Sequence, residues 1–134
     1  MNKIKDIVFW LLLVTMGLYL LYQKGYILKN YEDITVNNAY NQMQTDNNIT
    51  LIDVRNPDEI KKDGSIKNHI LIPVQIVEKN LNKLERFKKT KLFIYCRSGS
   101  RSIMASRILS NAGFKCYNMV GGINRWKKEK LPIQ

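Results

Sequence analysis

Cys96 is the residue of this chain whose surroundings best suit nucleophilic chemistry. A glycine, two serines and two arginines follow it within five positions, in the segment Arg97-Ser98-Gly99-Ser100-Arg101. A thiolate is a strong nucleophile, and backbone N–H groups that converge on it favour its charged form. The glycine permits the tight curvature that such a loop needs, the serines leave its centre open, and the arginines add positive charge. We therefore predict a loop that binds anionic sulfur at Cys96.

The segments on either side predict that this loop joins a strand to a helix. Lys91 to Tyr95 is typical of a buried strand, and Ser102 to Ala112 has the apolar spacing of a helix. In a parallel sheet, ligands bind beyond the carboxyl ends of strands, where helix N-termini present free amides. The alternative for Cys96 is an ordinary buried cysteine. For Cys116, inside the predicted strand Phe114 to Val120, core packing is the expected role.

Strands and helices alternate along the rest of the chain. Further strands are predicted at Ile34-Thr35, at Ile49 to Val54 and at Ile70 to Pro73, and further helices at residues 36–44, 57–62, 77–87 and 123–130. This alternation predicts an α/β fold, with a mostly parallel sheet of about five strands and helices on both faces. Asp53 and Arg55 are expected where one strand ends, at the edge of the sheet that carries Cys96.

The N-terminal segment predicts a membrane anchor. Ile7 to Tyr22 contains no charged residue, and as a helix it would be about 24 Å long. Lys5 and Lys24 can extend this length towards a hydrocarbon layer of roughly 30 Å by snorkelling. Small residues of the kind that signal peptidases need do not follow the run, so we predict an uncleaved transmembrane helix. A cleaved signal peptide and a buried helix are the alternatives.

These features divide the chain into three parts. Residues 1–6 form a short tail, residues 7–28 the anchor helix and its exit, and residues 29–134 the globular domain. A short tail that carries Lys3 and Lys5 is expected to stay in the cytoplasm. The frequent Asn, Lys and Ile residues favour a bacterial source. We therefore expect a single-pass protein of the inner membrane whose domain faces the periplasm, with the cytoplasmic face as the alternative.

The composition argues against two other classes of function. The chain has 22 basic and 11 acidic residues, a net charge of +11, but the charge is spread out. Its densest run, Lys88-Lys89-Thr90-Lys91, has no aromatic or base-reading partner, so we predict no nucleic-acid binding and only a general attraction for small anions. One histidine and two cysteines match no common zinc spacing, and no metal site is predicted.

Three separated segments resemble signatures of the rhodanese family, and specifically of its single-domain sulfurtransferases. The segments are Leu51 to Glu59, which reads LIDVRNPDE, Tyr95 to Ser102, which contains the Cys96 loop, and Val120-Gly121-Gly122-Ile123 followed by Trp126 and Leu131-Pro132. They occur in order over about Tyr31 to Pro132. The family commonly has a Gly-His-Ile motif where this chain reads Gly64-Ser65-Ile66. Asn68 can replace a nearby family glycine in a left-handed turn, and His69 is expected to be structural or exposed.

The resemblance implies a reaction and roles for particular residues. It implies that sulfane sulfur passes from a donor such as thiosulfate to Cys96, and then from the persulfide to a thiol or to cyanide. The partners would be a small anionic sulfur donor, a thiol acceptor and the lipid bilayer, without a metal or organic cofactor. The amides of Arg97 to Arg101 would hold the transferred sulfur, and Arg97 and Arg101 would favour anions. Asp53 and Arg55 would support the loop.

Three other functions remain as alternatives. A phosphatase of related fold would place five residues between its cysteine and its arginine, whereas four separate Cys96 from Arg101. A non-catalytic module could carry persulfide sulfur or dock a partner protein without turnover. A thiol–disulfide role would pair Cys96 with Cys116, which requires Cα atoms within about 7 Å of each other.

Overall fold

The computed structural model describes residues 2–134, which form one long N-terminal helix and an α/β domain. The N-terminal helix is α1 (Lys3–Gln23). The strands of the domain are β1 (Glu32–Ile34), β2 (Ile49–Asp53), β3 (His69–Leu71), β4 (Lys91–Tyr95) and β5 (Lys115–Met119). The helices of the domain are α2 (Val36–Thr45), α3 (Pro57–Asp63), α4 (Leu81–Leu84), α5 (Ser100–Asn111) and α6 (Gly122–Lys128).

The five strands form one sheet in the order β1-β5-β4-β2-β3, and every neighbouring pair is parallel. The predicted fold class is therefore confirmed. β4 lies in the centre, and Asp53 at the end of β2 pairs with Tyr95 at the end of β4. This register brings the segment after β2 next to Cys96, which follows β4. The predicted site residues on these two strands consequently share one edge of the sheet.

Helices cover both faces of the sheet because successive side chains of a strand point to opposite sides. Leu92 and Ile94 of β4 belong to one hydrophobic cluster, which includes Leu109 of α5. Phe93 and Tyr95 belong to the other, which contains the main apolar residues of α2 and α6: Val36, Ala39, Ile123 and Trp126. All four β4 side chains are fully buried. A run of consecutive apolar residues is what a strand buried on both faces requires.

The prediction of one continuous helix over residues 77–87 is wrong. The structure breaks this segment into a 3₁₀ turn at Glu78–Asn80, the single helical turn α4, and a second 3₁₀ turn at Glu85–Phe87. The side chain of Asn80 donates a hydrogen bond to the carbonyl of Ile76 at 2.7 Å. Asparagine competes in this way with the regular backbone hydrogen bonds of a helix. The predicted apolar contacts survive, because Val77 and Leu84 are buried.

Two local sequence predictions about the backbone are confirmed. Thr35 caps α2, since its hydroxyl accepts a hydrogen bond from the N–H of Asn38 at 3.2 Å. Asn68 adopts the left-handed conformation with φ of 65°, in place of the expected glycine. His69 is half-buried, and its Nδ1 lies 2.8 Å from the carbonyl oxygen of Ile66.

α1 is the one helix within residues 2–134 that is long and apolar enough to span a membrane. It has no buried residue, and its large apolar side chains are exposed along the whole length of the helix. The alternative of a buried helix is therefore excluded for this segment. A membrane anchor and a signal sequence both remain compatible with such a helix.

Candidate active site

Cys96 lies at the junction of β4 and α5, and its side chain is 1% exposed. The N–H of Gly99 donates a hydrogen bond to Cys96 Sγ at 3.1 Å. Gly99 has a φ of 117°, which residues with a side chain rarely adopt, so the loop can turn its amide onto the sulfur only with glycine there. α5 begins at the next residue, Ser100. The sulfur consequently lies beside the positive end of a helix of 12 residues.

The N-terminus of α6 holds the outer side of this loop. The N–H groups of Ile123 and Asn124 donate to the carbonyls of Cys96 and Arg97 at 2.9 and 3.0 Å. A Cβ atom on Gly122 would collide with both carbonyl oxygens, at 2.7 Å from that of Arg97. Carbonyl and N–H groups of a peptide plane point in opposite directions. With the carbonyls of Cys96 and Arg97 turned towards α6, the N–H groups of Arg97 and Ser98 point away from α6.

A buried polar chain lies behind the thiol. The hydroxyl of Ser102 is 3.5 Å from Cys96 Sγ and donates to Asn118 Oδ1 at 2.6 Å. Asn118 Nδ2 in turn donates to Asp33 at 3.0 Å. Ser102 and Asn118 are both buried. Sequence reasoning assigned no role to Ser102 or Asn118, and only the position of Ser102 next to Arg101 could have indicated one.

Arg101 is bound to an acidic partner that sequence reasoning also missed. Its guanidinium donates two hydrogen bonds to the carboxylate of Glu59 in α3, at 2.6 and 2.7 Å. The hydrogen bonds from Arg101 lower the pKa of Glu59 to about 2, assisted by the N–H of Asn56, and the same pairing raises the pKa of Arg101. Arg101 therefore ties α3 to the first turn of α5. Glu59 lies in the first signature segment, where a partner could have been sought.

Asp53 and Arg55 form a buried ion pair under the loop. Both side chains are fully buried, and Arg55 Nη2 lies 2.7 Å from Asp53 Oδ2. The same nitrogen donates to the carbonyl of Gly64 at 2.9 Å. Burial opposes the charge on Arg55, but its hydrogen bonds to Asp53 leave its pKa raised. The guanidinium carbon lies 5.6 Å from the centre of the Tyr95 ring, which directly precedes Cys96.

The other predicted loop residues lie at the mouth of the site. Arg97, Ser98 and Ser100 are exposed. Cys96 is thus a buried sulfur beneath a polar rim that carries the charge of Arg97. This arrangement can bind a small anion and deliver it to the sulfur.

Cys116 lies too far from Cys96 to form a disulfide with it. Cys116 pairs in register with Leu92 of β4, four residues before Cys96. Four residues of a strand span about 13 Å, whereas a disulfide needs Cα atoms within about 7 Å of each other. Both cysteines are free, and burial raises the pKa of the Cys116 thiol to about 11. The thiol–disulfide alternative is therefore excluded by this geometry.

Comparisons with known proteins show which proteins this chain is similar to. Residues 35–129 match the family model of the rhodanese-like domain. A sulfurtransferase of Allochromatium vinosum is 34% identical over 86 residues, which cover 63% of this chain and 78% of that protein. An uncharacterized protein of Rickettsia prowazekii is 33% identical over 119 residues, which cover 77% of this chain and 97% of that protein. The polysulfide-sulfur transferase homodimer of Wolinella succinogenes superimposes with a TM-score of 0.73 at 29% identity, covering 90% of this chain and 88% of that one.

Proposed function

Because this chain belongs to the family of proteins with a rhodanese-like domain, we propose that it is a membrane-anchored sulfurtransferase that carries sulfane sulfur as a persulfide on Cys96. The observation that carries this proposal is the N–H of Gly99, which donates to Cys96 Sγ at 3.1 Å in a loop whose carbonyls are bound to α6. Donors aimed at the sulfur stabilise a thiolate and the terminal sulfur of a persulfide in the same way.

The reaction has two steps that balance in atoms and charge. In the first step the Cys96 thiolate attacks the outer sulfur of thiosulfate or a similar donor. A new S–S bond forms, the original S–S bond of thiosulfate breaks, and sulfite leaves with the electron pair. In the second step an acceptor thiolate attacks the terminal sulfur of the persulfide, which forms an acceptor persulfide and regenerates the Cys96 thiolate. Cyanide as acceptor gives thiocyanate.

The loop residues have separate roles in this proposal. The amides from Arg97 to Arg101 hold the transferred sulfur, and exposed Arg97 attracts the anionic donor. Arg101 supports the loop mainly by binding Glu59, because the two hydrogen bonds from Arg101 to Glu59 fix the start of α5. Asp53 and Arg55 support the loop from below and take no part in bond exchange. A phosphatase reaction is less suited to this loop, since a phosphoryl group usually requires a free arginine fork.

Mass spectrometry of the purified full-length protein after treatment with thiosulfate tests this proposal. We expect Cys96 to gain one sulfur atom, Cys96→Ser to gain none, and Cys116→Ser to gain it as wild type does. Release of that sulfur to a thiol in repeated turnovers would establish an enzyme. Loading without turnover would instead establish a persulfide carrier, and the absence of loading would contradict both functions.

The membrane anchor is the second part of the proposal. α1 has 21 residues, so it is about 31 Å long, close to the roughly 30 Å of a hydrocarbon layer. None of its residues is buried, as in a helix that contacts lipid. We place the protein in a bacterial inner membrane with the domain in the periplasm, because the short tail carries Lys3 and Lys5. A C-terminal alkaline phosphatase fusion should be active; an inactive phosphatase with an active cytoplasmic reporter would reverse this orientation.

A further inference from the structure

The segment that leaves α1 is packed firmly against α5. Arg107 of α5 is buried, and its guanidinium donates hydrogen bonds to the carbonyls of Tyr22, Ile27 and Leu28 at 2.8, 2.9 and 2.5 Å. The guanidinium carbon also lies 3.8 Å from the centre of the Tyr22 ring. A buried arginine with three carbonyl partners fixes a segment in one position. The domain is consequently held to the end of α1, and does not hang on a flexible tether.

A second contact fixes the same turn. Gly25 is buried with φ of 73°, and a Cβ atom there would collide with the hydroxyl of Tyr31 and lie 3.3 Å from Cδ1 of Ile103. A side chain at position 25 would therefore strain the turn and push against Tyr31 and Ile103. Further on, Asn30 Nδ2 donates to the carbonyl of Arg107 at 3.1 Å and to Asn111 Oδ1 at 2.8 Å.

These contacts define which end of the domain lies next to α1. Gly25 lies beside Ile103 in the first turn of α5 and Asn30 lies near Asn111 at its end, so residues 25–30 run along α5 in the direction of that helix. α1 therefore ends near the start of α5, and the chain then moves away from α1. Ser100 and Ile103 are three residues apart, about 4.5 Å of helix rise. The Cys96 loop, which leads into Ser100, thus lies at the end of the domain nearest α1.

The same edge of the domain carries exposed apolar side chains. Apart from α1 and its exit turn, the exposed large apolar residues of the described chain are Ile76, Met104, Val120 and Ile133, at 40 to 47% exposure. Three of these four lie in segments that follow the carboxyl ends of the parallel strands. Ile76 lies in the 3₁₀ turn after β3, and this turn contacts α5. Met104 lies in the second turn of α5, and Val120 follows β5 directly before Gly121. Tyr26 and Leu28, in the exit turn, are 71% and 78% exposed.

We infer that this edge rests on the lipid bilayer and that Cys96 exchanges sulfur with a thiol presented at the membrane surface. The inference depends on the proposed sulfurtransferase function and membrane anchor. Its support is that the apolar rim Ile76, Met104 and Val120 follows the strand ends at the edge of the sheet where α5 begins, which is where α1 ends, together with the fixed docking at Arg107. Apolar side chains beside an anchor gain free energy at the headgroup boundary. A surface-bound thiol would meet Cys96 at a high effective concentration, whereas a dissolved thiol would not.

Fluorescence quenching tests where the edge lies. Single cysteines that replace Met104, Val120 or Lys89 are labelled with bimane in full-length Cys96→Ser/Cys116→Ser protein, which is reconstituted in vesicles with brominated phospholipid. Lys89 is exposed before β4, at the opposite edge of the sheet, and is the control. We expect quenching at positions 104 and 120 and none at 89. The absence of quenching at 104 and 120 would overturn the inference and leave the apolar rim to a protein partner.

Sulfur transfer tests the consequence for the reaction. Full-length protein with persulfide on Cys96 is offered, in vesicles, either a phospholipid with a thiol headgroup or a soluble thiol at equal overall concentration. We expect transfer to the lipid thiol to be faster by about tenfold or more. Arg107→Leu and Gly25→Ala each disrupt the docking in a different way, and each should reduce this ratio while transfer to the soluble thiol is retained, which shows that the variant has folded.

The possible outcomes separate this inference from the proposed function. A ratio near one in wild type, or a ratio that neither variant changes, would overturn the inference while the sulfurtransferase function stands. No transfer to either thiol would contradict the sulfurtransferase function itself.

Discussion

The carboxylate of Glu59 accepts two hydrogen bonds from the guanidinium of Arg101, and this pair joins the first signature segment to the Cys96 loop across 42 residues of sequence. Glu59 also accepts a hydrogen bond from the N–H of Asn56 at 2.9 Å, at the start of α3. One side chain therefore both caps α3 and positions the first turn of α5. The shape of the loop depends on a residue outside it.

We predict that Glu59→Gln destabilises the protein by about 1 kcal/mol at neutral pH, as expected for a partly exposed charged pair. The pKa of Glu59 is about 2 in the folded protein, below its usual value of 4.5. A lowered pKa in the folded state stabilises the protein above the usual value, and this contribution disappears as the pH falls from 4.5 towards 2. Urea unfolding of wild type and variant in detergent at several pH values should show the two stabilities converging over that range.

The matched control for this prediction is Glu85→Gln. Glu85 pairs with Lys88 at 2.9 Å, but its side chain is 53% exposed. Its replacement should change the free energy of unfolding by less than about 0.5 kcal/mol. If the free energies of unfolding of wild type and Glu59→Gln differed by the same amount down to pH 2, the role of the Glu59–Arg101 ion pair would be contradicted.

Gly122→Ala should reduce sulfur loading of Cys96 by about 100-fold, because a misplaced loop amide loses much of its effect on the reacting atom. The added Cβ would collide with the carbonyls of Cys96 and Arg97, so α6 and the loop must separate. The loading rate with thiosulfate, followed by mass spectrometry, measures this change.

Gly113→Ala separates that effect from backbone strain. Gly113 also has a positive φ, of 92°, but its added Cβ would meet only the side chain of Lys88, at 3.7 Å. Its replacement should cost about 1 kcal/mol of stability and leave the loading rate unchanged. Equal loss of loading in both glycine variants would show that strain, and not the contact with the loop, is responsible.

Ser102→Ala should slow the alkylation of Cys96 by iodoacetamide at pH 7 by roughly three- to tenfold, because it removes a hydroxyl that can turn its single hydrogen from Asn118 Oδ1 to the Cys96 thiolate. The hydroxyl lies 3.5 Å from Cys96 Sγ. Cys116 should not contribute to the signal, because burial raises its pKa to about 11. Ser98→Ala, at an exposed position of the same loop, should alkylate at the wild-type rate. An unchanged rate in Ser102→Ala would remove Ser102 from the site.

The sequence predicted the sheet and the position of Cys96 because both depend on short segments. The short run Leu92 to Tyr95 favours a strand covered on both faces, and the carboxyl ends of parallel strands then bring Asp53, Arg55 and Cys96 to one edge. The broken helix at residues 77–87 was not predictable in this way. Apolar residues at spacings of three and four suit an α-helix and a series of 3₁₀ turns equally.

The parts of the site that the sequence did not predict depend on contacts between residues far apart in the chain. Asn118 and Asp33 are 85 positions apart, and Glu59 and Arg101 are 42 apart. A polar residue in a strand or at a helix start has many possible partners, and only the packing of α3 and α5 at the same edge selects one. The docking of Arg107 on the exit of α1 is of the same kind, since the sequence of α5 alone indicates no partner for it.

We predict that Asp53→Ala destabilises the protein by about 3–5 kcal/mol, because the fully buried charge of Arg55 then lacks its partner. Replacing both residues, in Asp53→Leu/Arg55→Met, should recover much of that loss, since two apolar side chains leave no unpaired charge. Asp46→Ala is the control, because Asp46 pairs with Lys91 at 3.0 Å near the surface and should cost at most about 1 kcal/mol. Urea unfolding compares all three with wild type. If the double variant were no more stable than Asp53→Ala, the unpaired charge would not be the cause of the destabilisation. The contribution of this pair to stability would then lie in its hydrogen bonds to the backbone, such as that from Arg55 to the carbonyl of Gly64.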